Sequence, residues 1–165
     1  MLKHPLVGIV VGSDSDWKIM SCCAETLARF GIHYEARVLS AHLAPDAVLD
    51  YASCAQERGI RILIGAASGA AHLAAVLAAR SALPVLAVPL PSSHLQGIDS
   101  LISTVQVPEG VPVATFAIGE AGAVNAALFA AAMLALSDGD LARQLNEFRA
   151  AQSENLLSKP FPELQ

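Results

Sequence analysis

The residues able to exchange protons or hold anions fall into a few short segments, and His42 lies in the most informative of them, Ser40-Ala41-His42-Leu43-Ala44-Pro45-Asp46. This segment follows a short apolar strand pattern, Tyr34 to Leu39, and precedes a helical pattern, Asp46 to Arg58. His42 is therefore expected on a strand-to-helix turn. In an open parallel sheet such turns line the ligand crevice beyond the carboxyl ends of the strands. An imidazole placed there can give and take a proton near neutral pH without help from a cofactor. A lone loop histidine is usually an ordinary one; what lifts His42 is that two other strand ends, rich in glycine and serine, are expected to open on the same edge.

The first of these is Gly12-Ser13-Asp14-Ser15-Asp16-Trp17, placed after the apolar run Leu6 to Val11 and before a helical pattern reaching about Phe30. Ser13, Asp14, Ser15 and Asp16 are all competent N-caps. Capping accounts for one or two of them but not readily for four. Hydroxyls and free N–H groups at a helix start suit a phosphate or carboxylate, and an aspartate suits ribose hydroxyls. The spacing is not GxGxxG, so a dinucleotide site is not supported. The second is Gly65-Ala66-Ala67-Ser68-Gly69-Ala70-Ala71-His72-Leu73, whose small side chains would let a ligand approach the backbone. Close helix–strand packing explains the alanines equally well, and His72 reads evenly as a second polar contact or as a satisfied histidine.

These segments need elements to hold them. The continuous apolar run Leu6–Val11 reads as a parallel strand buried on both faces, and Arg61–Ile64, Leu83–Pro89 and a short segment at Val113–Ile118 read as further strands. Helical patterns separate them, one stopped by Gly31, one begun by Pro45 and ended by Gly59, and one from Ala74 to Arg80. The alternation predicts an α/β fold, a three-layer αβα sandwich around a doubly wound parallel sheet. Pro91 to Leu101 reads as a long connection, a candidate binding loop or lid. Gly122 to Leu136 is apolar nearly all round, so the helix there must be buried on most sides, in part by neighbouring subunits. Asp140 to about Leu157 forms a more amphipathic helix, and Pro160-Phe161-Pro162 reads as an arm or a frayed end.

Composition narrows the partners. A chain of 165 residues fits one domain, here residues 1–165. Its net charge is −5 and its ten Lys and Arg are scattered, which excludes the basic stripe expected for nucleic acid. Hydrophobic residues make up 54% and charged ones only 15%, so some apolar surface is expected between subunits. No run reaches the roughly 18 apolar residues of a membrane span and no signal-peptide layout is present, so a cytoplasmic location is expected. Cys22, Cys23 and Cys54 match no zinc or redox spacing, and the histidines show no metal-ligand pairing.

Taken together, Gly12–Trp17, Ser40-Ala41-His42, Gly69-Ala70-Ala71-His72-Leu73, Gly97-Ile98-Asp99-Ser100-Leu101 and Ala117–Gly122 resemble the class I N5-carboxyaminoimidazole ribonucleotide mutase family, the catalytic aminoimidazole ribonucleotide carboxylases of purine biosynthesis. The resemblance runs from about Val7 to Arg149. It implies a flavodoxin- or Rossmann-like αβα subunit in a homo-octamer, with the C-terminal helices in oligomer contacts and no metal or organic cofactor. It implies a carboxylate shift on a small nucleotide, from the ring amine to the ring carbon, through carbon dioxide released and recaptured in a closed pocket. His42 matches the general acid/base. Ser13 and Asp16 match nucleotide-contacting positions; Ser15, Ser40 and the backbone from Gly69 to Leu73, with Ala70 and His72, match other parts of the substrate site, and Ser68 is expected in that site as a changed position.

The sequence also departs from the family. Leu43 stands where the family carries an arginine that helps hold the substrate phosphate, and Lys18 is only a weak substitute. Ala66 and Ser68 replace favoured glycines, Ala74-Ala75 replace Pro-Gly, and Val107 stands where methionine is common. Two enzymatic readings follow: the family reaction with weakened phosphate binding, or a divergent paralogue that decarboxylates or carboxylates a substrate lacking the ribose phosphate. A ligand-binding scaffold without activity ranks third, because His42 and its turn persist.

Overall fold

The computed structural model describes residues 4–159. Strands β1 (Val7–Val11), β2 (Tyr34–Val38), β3 (Ile62–Ser68), β4 (Val85–Leu90) and β5 (Ala114–Thr115) form one sheet in the order β2-β1-β3-β4-β5, with every pairing parallel. Helices α1 (Trp17–Arg29), α2 (Pro45–Cys54), α3 (Leu73–Arg80), α4 (Ile98–Val105), α5 (Glu120–Ala135) and α6 (Gly139–Leu157) complete the expected three-layer, flavodoxin-like αβα arrangement.

All five residues of β1 are buried, and alternation sends them to opposite cores. Val7, Ile9 and Val11 join α1, α5 and α6 on one face, whereas Val10 joins α2 and α3 on the other. Burying a large aliphatic side chain contributes about 1.5–3 kcal/mol, so Ile9, Leu63, Ile64 and Leu86, all essentially inaccessible, make the sheet the rigid layer of the molecule. Gly8 allows the Tyr51 hydroxyl to lie against β1, where a Cβ would collide with it. In α5 the buried residues Gly122, Ala123, Ala126, Ala127, Ala130, Ala131 and Leu134 form one stripe. Off that stripe Phe129 is 46% exposed, and Leu136, just past the helix, is 90% exposed.

Several boundaries differ from the sequence expectation. β3 does not stop at Ile64 but continues to Ser68, because β1 and β4 flank it and pair Gly65 with Val10 and Ala87. The segment read as a loop from Pro91 to Leu101 instead starts α4 at Ile98. β2, expected as a short apolar strand reaching Leu39, ends at Val38 and is an exposed edge strand. α2 ends at Cys54, four residues before Arg58, and hands over to turns that close on Gly59 with φ +93°. β5 is only two residues long, although Phe116 N–H still bonds Ala87 O at 2.9 Å. The Pro160–Pro162 arm lies outside the described residues. No helix among the described residues is long and apolar enough to cross a membrane.

Candidate active site

The strand order decides where a site can form. The chain winds outward from β1 to β2, then returns past β1 to β3, so the connections after β1 and β3 diverge and leave a crevice at their carboxyl ends. Register brings the ends level: Val11 pairs with Val38 on one side and Ala66 on the other. The residues that follow each strand therefore emerge together.

They enclose a cavity of about 130 Å³. The β1 end supplies Gly12, Ser13 and Asp16; the β2 end supplies Ser40, Ala41 and His42; the β3 end supplies Ala67, Ser68, Ala70 and Leu73. Seven expected site residues thus converge on one hollow: His42, Ser13, Asp16, Ser40, Ser68, Ala70 and Leu73. Four others lie beside it. The Ser15 hydroxyl is 2.7 Å from that of Ser13. Gly69 sits between two lining residues, with φ +69°. The His72 ring packs edge-on to His42 with centroids 5.8 Å apart. Leu43 points its side chain to solvent, 89% exposed.

Local hydrogen bonds explain the presentation of His42. Ser40 Oγ accepts the Leu43 N–H at 3.2 Å, and Ser40 O accepts the Ala44 N–H at 2.9 Å. This closed turn leaves the hydroxyl proton of Ser40 free to donate and holds the exposed imidazole over the hollow. At the β1 end, Asp16 Oδ2 accepts the Ser13 N–H at 3.0 Å across a single 3-10 turn, Asp14–Asp16, that leads into α1. Burial raises the Asp16 carboxyl above its ordinary range, and the bonds from Ser13 offset part of that rise. The lining holds one carboxylate, one imidazole and three hydroxyls, and no Lys or Arg. Lys18 is exposed on α1 and is not part of it. Among the described residues no three His, Cys, Asp or Glu side chains converge as a metal site.

Sequence reasoning assigned no role to Ser100 or Ser103. Ser100 is fully buried; its Oγ accepts the Gly69 N–H at 2.8 Å and donates to Leu90 O at 2.7 Å. Ser103 Oγ lies 3.1 Å from Gly69 O and shares its one proton between that carbonyl and Asp99 O. The signal was present in Gly97–Leu101, which stood out as a motif, but only the helical period of α4 shows that both serines face β3.

What this arrangement can do is move a proton between an imidazole and a small planar ligand seated among hydroxyls and backbone groups. The chain is similar to known proteins over nearly its whole length. The AIR carboxylase family model matches residues 6–155. The N5-carboxyaminoimidazole ribonucleotide mutase of Vibrio vulnificus is 50% identical over 94% of this chain and 97% of its own, and that of Pseudomonas aeruginosa is 51% identical over 95% and 96%. The crystal structure of Treponema denticola PurE superposes with a TM-score of 0.82 at 26% identity, covering 93% of this chain and 95% of that one. By its sequence over nearly its whole length, and by its fold, the chain belongs to the AIR carboxylase family.

Proposed function

We propose that the protein is a cofactor-independent mutase of purine biosynthesis, converting N5-carboxyaminoimidazole ribonucleotide to 4-carboxy-5-aminoimidazole ribonucleotide with His42 as general acid/base. The observation that carries this reading is the convergence of His42, Ser13 and Asp16 on one hollow at the β1/β3 divergence, in a chain half identical to enzymes of that name.

The chemistry balances on one histidine. The N–C bond of the carbamate breaks, its electron pair stays on the ring amine, and protonated His42 supplies the proton that the nitrogen takes. Carbon dioxide stays in the hollow. The neighbouring ring carbon attacks it, and the now neutral His42 removes the ring proton, returning to its starting state. Holding the two fragments together keeps the recombination effectively unimolecular. The hollow is far smaller than the about 300–1,000 Å³ of a site that swallows a whole ligand. In this reading it takes the reacting ring and carboxylate, and the ribose phosphate lies outward at the rim that carries Ser13 and Leu43.

The whole chain, 1–165, acts in this reading as one unit of a homo-oligomer, an octamer, in the cytoplasm. The exposed apolar residues Phe129, Leu136 and Val38 support burial against neighbouring copies, and the C-terminal helix packs there with them. The reading with a substrate lacking ribose phosphate draws on the absence of Lys or Arg in the lining and on Leu43; the likeness to the named mutases favours the phosphorylated substrate. Incubating the purified protein with the N-carboxylated nucleotide decides between them. C-carboxylated product formed well above the protein-free rate is expected. No product, with the protein folded, refutes the mutase reading.

A further inference from the structure

The cavity wall contributed by β3 is held from outside the site, by α4. Ser68 and Ala70 line the hollow, and Gly69 between them turns the chain in a left-handed conformation, φ +69°. A peptide in such a turn exposes both its N–H and its C=O. Here both are taken by side chains of one helix. The Gly69 N–H donates to Ser100 Oγ at 2.8 Å, and Gly69 O, 3.1 Å from Ser103 Oγ, shares that hydroxyl's one proton with Asp99 O. Ser100 in turn donates to Leu90 O at 2.7 Å, tying the turn to the end of β4.

The helix that carries these hydroxyls is itself fixed at its start. Gly97 is left-handed at φ +96°, and its N–H donates to Ser92 Oγ at 3.3 Å. Ser92 donates to Asp99 Oδ1 at 2.6 Å, a bond that holds the Asp99 carboxyl below the usual range. One turn further on, Thr104 is also buried and donates to Ser100 O at 2.6 Å. Eight residues of modest helix propensity are thus anchored at both ends of the contact. Neither Ser100 nor Ser103 is among the residues that line the hollow.

We infer that Ser100 and Ser103 are positioning residues for the reaction, gripping the Gly69 peptide so that the Ser68–Ala70 wall confines the released carbon dioxide opposite His42. The inference rests on the proposed mutase reaction and adds to it the means by which the gas is kept. A wall free to move away opens an escape route, so loosening the grip favours loss of carbon dioxide over its recapture. A helix that merely supported the fold would change how much active protein there is; it would not change how each turnover divides.

The test is the partition of consumed carbamate between C-carboxylated product and the uncarboxylated nucleotide plus free carbon dioxide, corrected for protein-free decay. The Ser100→Ala variant is expected to raise the leaked fraction about tenfold, the scale of one buried group left without a partner, and Ser103→Ala, at a half-buried hydroxyl shared with Asp99 O, to raise it by less. Ser103→Thr, which keeps the hydroxyl, is expected to restore the parent's partition. Hydrogen exchange over residues 66–73 is expected to quicken in both alanine variants, a readout that needs no turnover. An unchanged partition with lower overall rate makes the serines merely structural and overturns the inference. Unchanged exchange overturns it whether or not the parent is active. A parent that makes no C-carboxylated product, alongside quickened exchange in the variants, refutes the mutase reading instead.

Discussion

Leu43→Arg is the substitution with the most to say about this chain. Residue 43 follows His42 on the rim, its N–H is held by Ser40, and its side chain is 89% exposed. An arginine there displaces no packing, so stability is expected to stay within about 0.5 kcal/mol of the parent. A charge-assisted bond to a phosphate contributes about 1.5–3 kcal/mol, and each 1.4 kcal/mol is about a factor of ten. Exposure lets water and salt screen the new contact, which puts the gain at the lower end, about tenfold in kcat/KM. It should enter through KM, since a phosphate distant from the reacting atoms is bound equally in ground and transition states. Steady-state kinetics with the N-carboxylated nucleotide at low and at 0.5 M salt, about five times the ionic strength of a 10 Å Debye length, separate the parts. The gain should shrink at high salt. An unchanged KM at low salt, or an equal gain at both, would refute the argument that residue 43 faces the substrate phosphate.

Three further outcomes follow from individual residues. The Asp16 carboxyl is raised above its ordinary 3.8 by burial, so the folded state keeps a proton that the unfolded chain has already released, and stability falls as pH rises from near 3.8 through the folded value. Urea midpoints of Asp16→Asn should lack that fall and match or exceed the parent at pH 7 while turnover drops; a parent that gains stability relative to the variant over this range contradicts the assignment. A Cβ at Gly122 would overlap the Ala117 carbonyl oxygen, whereas one at Gly139 meets nothing within 4 Å. Gly122→Ala should therefore cost about 3 kcal/mol or more by thermal unfolding and Gly139→Ala nothing. Burial lifts the Cys23 thiol to about 12, and Cys54 is exposed. Under native conditions an alkylating reagent should label Cys54 and spare Cys23, and early labelling of Cys23 would show that α1 opens.

The parallel sheet was legible because its central strands are unbroken apolar runs, and His42, Ser13 and Asp16 because turn chemistry marked the strand ends. What the sequence hid was mostly set by contacts distant along the chain. Gly65 looks like a stop, yet β1 and β4 on either side carry β3 on to Ser68. Ile98–Val105 holds an aspartate, two serines and a threonine, poor helix formers, and becomes a helix because Ser100, Ser103 and Thr104 find partners there. β2 was read only as a short apolar strand, and its position at the sheet edge leaves Val38 55% exposed. The role of Ser100 was invisible for the same reason: Gly69 lies 31 residues away.

The central claim is that the imidazole at the β2 end carries the proton, and the most direct measurement is turnover of the N-carboxylated nucleotide by His42→Asn beside the parent. The side chain is exposed, so the fold and its unfolding temperature should survive the change, while the rate of C-carboxylated product formation should fall by about 10²–10⁴. A variant that folds normally and keeps the parent's rate would remove His42 from the chemistry.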